Sequence, residues 1–267
     1  MKVSCIDKQI VDIIDFMNEK EMKPFASCDG VLEEHEEKYK EIYGENFDSL
    51  LKERPEMILC GYISFMENEY SKELLANALD NDLIVEFSTV SKDYEIYGNT
   101  VSGKIYTIRF LNLNGEKTEL VNKVIRETCD GTMIPSKENF EFVQNIMNAI
   151  PSEPNKYKTV LTLNSIKNFN TDKDDFGKHA SILIMKNDGY EIDGEEFAKW
   201  FSEEYDMQLY TNEDSKNEVE PERSYAYYRL DTKSRSSIIL RDEYIERIPE
   251  MLEKMFAHEF TITKKEQ

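Results

Sequence analysis

At 267 residues and 31.4 kDa, the chain is long for one ordinary domain and well sized for two. Leu, Ile, Val and Phe account for 67 residues, about a quarter of the chain, which is enough to build a core although 33% of residues are charged. The 54 acids and 33 bases leave a net charge of −21, which disfavours a duplex nucleic-acid surface or an acidic membrane, since both are bound by Lys and Arg that displace counterions.

No apolar run approaches the ~18 residues of a membrane span. The first residues carry Asp7, Asp12 and Asp15 where an export signal needs an uncharged core. Cys5, Cys28, Cys60 and Cys129 are few and scattered, so reduced thiols and a cytoplasmic location are expected, with no membrane association.

Ile10, Ile13, Ile14 and Met17 recur at helical spacing, and Pro24 to Gly30 reads as a short extended piece ending in a turn. Residues 33–56 are charged and show no clear period. Met57 to Phe65 reads as a buried strand; Ser71 then caps a helix with Leu74, Leu75, Ala78 and Leu79 on one face. Two further strands are expected at 83–87 and 104–110, and Ser136 opens a helix that Pro151 stops. The segment from Pro151 to Asn155 is the best domain boundary.

The second half repeats this order: a strand at 180–185, a helix opened by a capping box from Asp193 to Glu196, and strands at 207–211, 224–230 and 236–240. A last helical pattern holds Ile245, Ile248, Leu252 and Met255, with Pro249 kinking it or starting a fresh helix. These patterns predict an α+β fold of two related units, 1–150 and 151–267, each an antiparallel or mixed sheet with helices packed on one face.

Charge is uneven along the chain. Residues 1–100 carry a net −13 and residues 187–222 a net −11, whereas residues 223–241 hold five bases and one acid. Within that basic stretch, Tyr225, Tyr227 and Arg229 alternate on one strand face, with Arg235 and Arg241 nearby, a pattern suited to a phosphorylated ligand or a stacked base. Pairing with the acids of 187–222 is the other reading of those bases.

Gly98 to Lys104 has the spacing of a phosphate-cradling loop, but the run after it alternates like a strand, so a turn between strands is the better reading. A different signal lies at Cys28-Asp29-Gly30, where a thiol at a strand end meets a turn and His35 follows closely enough to lower its pKa. Cys28, His35, Cys60 and Cys129 would be the set available to a zinc ion, but no paired Cys-x-x-Cys ligands exist and no metal or cofactor is expected.

The run from Met22 to Gly30, then His35, then Gly61-Tyr-Ile-Ser-Phe65, resembles a group of small bacterial and phage proteins with a Ser-Cys-x-Gly-His segment followed by a Tyr-Ile-x-Phe strand. That group has no established activity, and here the His comes five residues after Gly30. Ser27 to Gly30 is also similar to the Ser-Cys-Ser-Gly-Arg segment of the tRNA wybutosine-synthesis methyltransferase family, with Val31 in place of the Arg. The second likeness implies an RNA- or nucleotide-directed enzyme with a site near Cys28 and His35. The charge and the lack of a complete catalytic motif favour instead a non-catalytic interaction protein, an inhibitor from a phage or mobile element that meets a basic protein partner by charge complementarity.

Overall fold

A computed structural model describes residues 7–53, 60–96, 99–111, 116–152, 157–164, 179–186, 190–214, 223–230 and 235–264. In chain order the elements are α1 (Val11–Glu19), β1 (Pro24–Cys28), α2 (Leu32–Tyr43), α3 (Phe47–Glu53), β2 (Cys60–Met66), α4 (Ser71–Asp80), β3 (Ile84–Ile96), β4 (Asn99–Leu111), α5 (Glu116–Cys129) and α6 (Lys137–Ala149). They continue with β5 (Tyr157–Asn164), β6 (His179–Lys186), β7 (Tyr190–Ile192), α7 (Gly194–Tyr205), β8 (Gln208–Thr211), β9 (Tyr225–Tyr228), β10 (Arg235–Leu240), α8 (Asp242–Ile245), α9 (Ile248–Ala257) and β11 (Ile262–Lys264).

The α+β class is as expected, but the two halves do not build separate sheets. One nine-stranded sheet runs β1-β2-β4-β3-β5-β6-β10-β9-β8, with β11 and β7 forming a small separate pair. The seam between the halves is the antiparallel pairing of β3 with β5, where Val85 faces Leu163 and Phe87 faces Leu161. All described pairings are antiparallel except β8 with β9. Both halves place two antiparallel strands, then a helix and a hairpin whose second strand lies against the earlier pair, but the second half adds β7 before its helix and β8 before its hairpin. The likeness is one of strand order alone.

Period-two alternation explains the burial. Ile63 and Phe65, Val85 and Phe87, Tyr106 and Ile108, Leu161 and Leu163, Ile182 and Ile184, and Ile238 and Leu240 all point to one side. Onto that side pack the apolar stripes of α1, α4, α5, α6, α7 and α9, so that a single core draws on both sides of Pro151. Each large aliphatic or aromatic side chain fully buried there contributes ~1.5–3 kcal/mol. Helices α2 and α3 make a small cluster of their own around Phe47, with Tyr39, Tyr43, Leu50 and Leu51.

Local chemistry departs from expectation at two helix starts. Ser71 does not cap α4: its Oγ accepts the Asn68 amide, and Tyr70 stands at the cap position. Asp193 does cap α7, accepting from the amides of Glu195 and Glu196, but Glu196 completes no capping box because its carboxylate accepts the Thr261 amide. Ser136 caps α6 as expected through the Asn139 amide, and Pro249 starts a fresh helix in the first turn of α9. The described part of the Gly98–Lys104 segment belongs to the β3–β4 hairpin, with Gly103 at φ +83° opposite Val90, and Gly98 lies outside the described residues.

Gly61 is fixed by close approach. A Cβ there would sit 2.3 Å from the Phe110 ring and 2.7 Å from the Asp29 carbonyl. Gly61→Ala is therefore expected to destabilise the fold by ~1–3 kcal/mol through overpacking, read as a lowered urea midpoint. An unchanged midpoint would contradict this contact between β2, β4 and the turn after β1.

Candidate functional site

With α1, α4, α5, α6, α7 and α9 on one side, the opposite side of the sheet presents mostly polar side chains and meets α2 at its β1 end. Register aligns Ala26, Ser64, Thr107, Glu86, Thr162, Ser181, Ile239, Tyr225 and Gln208 in one row from edge to edge. Distinctive chemistry sits toward the two ends of this face, and each of the two sequence-predicted site groups falls at one of them.

At the β1 end, the turn after Cys28 is shaped by Gly30, whose φ of +71° suits a residue without a side chain. Asp29 is fully buried; its Oδ1 accepts the Val31 amide at 2.9 Å, and its own amide donates to Asp7 Oδ2 at 2.9 Å. Ligand-type atoms of Asp7, Cys28 and Asp29 all lie within 4.8 Å of one another. Burial pushes the Cys28 thiol up to about 11; the Gly30 backbone opposes this in part, and the carboxylates of Asp7 and Asp29 add to it. Tyr39, reaching over from α2, is hydrogen-bonded to Cys28 and is likewise pushed up, chiefly by burial.

Beside this turn lies a group that sequence reasoning missed. Arg109 on β4 pairs with Glu86 of β3 at 2.7 Å, stands 5.4 Å over the Tyr62 ring of β2, and interacts with the Cys60 thiol. Thr162 of β5 donates to the same Glu86 carboxylate at 3.4 Å. Nothing marks Tyr62, Glu86 and Arg109 as neighbours in the sequence, because three different strands carry them. The only available signal was their even spacing against the apolar positions, which assigns them to the outer face.

The cysteine set proposed for zinc is not gathered. Cys28 sits among Asp7, Asp29 and Tyr39, Cys60 beside Arg109, and the Cys129 thiol against Met22 Sδ at 3.6 Å. His35 is in α2, one turn into the helix. The thiols of Cys28, Cys60 and Cys129 are all displaced upward, in each case first by burial. A thiol displaced upward stays protonated at neutral pH; the side chain of His35, expected to lower the Cys28 pKa, lies outside the described residues.

At the β8 end, Tyr225 and Tyr227 do share the outer face while Ala226 and Tyr228 enter the core side. The basic residues are spread along the two strands. Strand β9 stops at Tyr228, so Arg229 lies beyond it and is exposed, and Arg235 begins β10 opposite Met185. Arg241 is at the other end of β10, beside Tyr225. Tyr210, from the edge strand β8, sets its ring edge-on to Tyr225 at 5.5 Å and 85°.

No helix among the described residues is long and apolar enough to cross a membrane. No protein-family model, curated protein or solved structure matches the chain.

The Cys28 environment has a direct consequence. A group whose pKa rises on folding stabilises the fold while it is protonated, so this contribution is present below the unfolded thiol's ~8.5 and is lost as pH climbs toward the folded value. Alkylation of Cys28 in the folded protein, followed by peptide mass spectrometry across pH, is expected to show a midpoint near 11. Rapid labelling at pH 8 would contradict the burial described.

Proposed function

We propose that this chain is a non-catalytic binding protein whose outward carboxylates recruit a basic protein partner, acting as an inhibitor that offers acids where its target otherwise meets phosphates. One observation carries the reading: among the described residues, Asp29 is the only carboxylate that is buried. The excess charge of the described residues therefore faces outward. Even complete pairing of all 33 bases would leave 21 acids over, and the pairs on the helices are mostly one-turn neighbours such as Glu195 with Lys199 and Glu250 with Lys254, of little energetic weight. An open groove of about 510 Å³ along α7 sets Asp193, Glu195, Glu196 and Glu203 around Trp200 and His258, with Lys199 the one cation lining it and already paired with Glu195.

Methyl transfer or other covalent chemistry at Cys28 draws no support from a thiol pushed up to about 11. Steering by exposed charge must weaken as salt shortens the screening length from ~10 Å at 0.1 M to ~3 Å at 1 M. A partner isolated on the immobilised protein is expected to be basic, with its association rate falling ~10-fold or more between those two salts. Retention of an acidic partner, or equal association rates in both, would contradict the proposal.

A further inference from the structure

Arg241 stands apart from the other arginines described. Arg109 is paired with Glu86 at 2.7 Å, Arg126 donates to Asn122 at 2.7 Å, and Arg247 lies over the rings of Tyr205 and Tyr244. Among the described residues, the buried Arg241 Nε–H meets no hydrogen-bond acceptor. A buried donor without an acceptor costs ~1–3 kcal/mol and more when charged, and an ion from outside the chain is one of the ways such a group is completed.

The surroundings are built, and they present donors. Strand pairing sets Ile239 opposite Tyr225, so Arg241, two residues further on, projects to the same outer face. Its backbone is pinned: the Arg241 amide donates to Ser224 Oγ at 2.8 Å, and that hydroxyl donates to Glu243 at 2.9 Å. Tyr225 is oriented by the edge-on ring of Tyr210, and burial keeps its phenol protonated and able to donate. Tyr227 continues the aromatic surface two residues along, and residues 223–241 carry five bases and one acid.

From this geometry we propose that Arg241 and Tyr225 form a binding site for a small phosphate monoester, with the guanidinium and the phenol on the phosphate and Tyr227 beneath the organic group. A guanidinium offers Nε and Nη as a fork that matches two oxygens of a phosphate. The Tyr225 hydroxyl supplies a third donor for the third oxygen, which a carboxylate lacks. The ring of Tyr227 supplies a flat apolar surface for an aromatic or base-like substituent. This site is independent of the acidic surface, which acts on partners of opposite charge.

The test uses the full chain and phenyl phosphate, with inorganic phosphate and benzoate as separate arms, read by calorimetry and by the arginine Nε–Hε resonances in NMR. Phenyl phosphate is expected to shift the Arg241 resonance and to bind more tightly than inorganic phosphate, with benzoate weakest. Arg241→Gln is expected to weaken phenyl phosphate at least 10-fold, and Tyr225→Phe severalfold, with the urea midpoint of each variant reporting its fold. The proposal is overturned if the Arg241 resonance is unmoved, if a folded R241Q binds equally well, or if benzoate matches phenyl phosphate. Should R241Q fail to fold, the resonance of the unaltered protein and the folded Y225F decide the matter.

Discussion

The pairing of β3 with β5 is the contact on which the remaining architecture rests. It is antiparallel, joins residues separated by the whole of α5 and α6, and sets Val85 against Leu163 and Phe87 against Leu161. Because side chains alternate with a period of two, this register puts the apolar positions of both halves on the same side; a slip of one residue would turn one half's core outward. One continuous core follows, and all the helices that pack on it lie on that side.

The same constraint produces the other face. Side chains that alternate away from the core form a polar surface across nine strands, punctuated by the Glu86–Arg109 pair toward one end and the tyrosines of β8 and β9 at the other. The cost of burying charge keeps the carboxylates outside, with Asp29 the exception among those described, its Oδ1 accepting the Val31 amide at its turn. Charge and fold thus separate two kinds of encounter: a broad acidic exterior that attracts cations, and a local guanidinium-and-phenol site on the open face.

Much of this was legible in the sequence, and the failures have physical causes. The short apolar runs of β6 and β10, and the stripe Phe197, Phe201 and Tyr205 in α7, specify their elements locally. Helix α5 passed unread because Val121, Val124 and Ile125 are its only fully buried apolar residues, set among charged ones, and α2 because seven of its twelve residues are charged. The proline-rich stretch after Ile150 reads as a domain boundary, yet the strand that follows returns to the sheet of the first half. Edge-to-edge pairing is made by backbone groups, and backbone groups leave no mark on residue identity. For the site, period two placed Tyr225 and Tyr227 together, but the end of β9 at Tyr228 separated Arg229 from them, and the neighbours of Cys28 come from α2 and from before α1.

The most direct test is native-state hydrogen exchange across the seam. If one sheet joins both halves, the amides of Val85, Phe87, Leu161 and Leu163 should exchange only with global unfolding, at the same free energy as the core amides of β2 and β6. Seam amides that open at a markedly lower free energy, with the two halves unfolding in separate steps, would contradict the account.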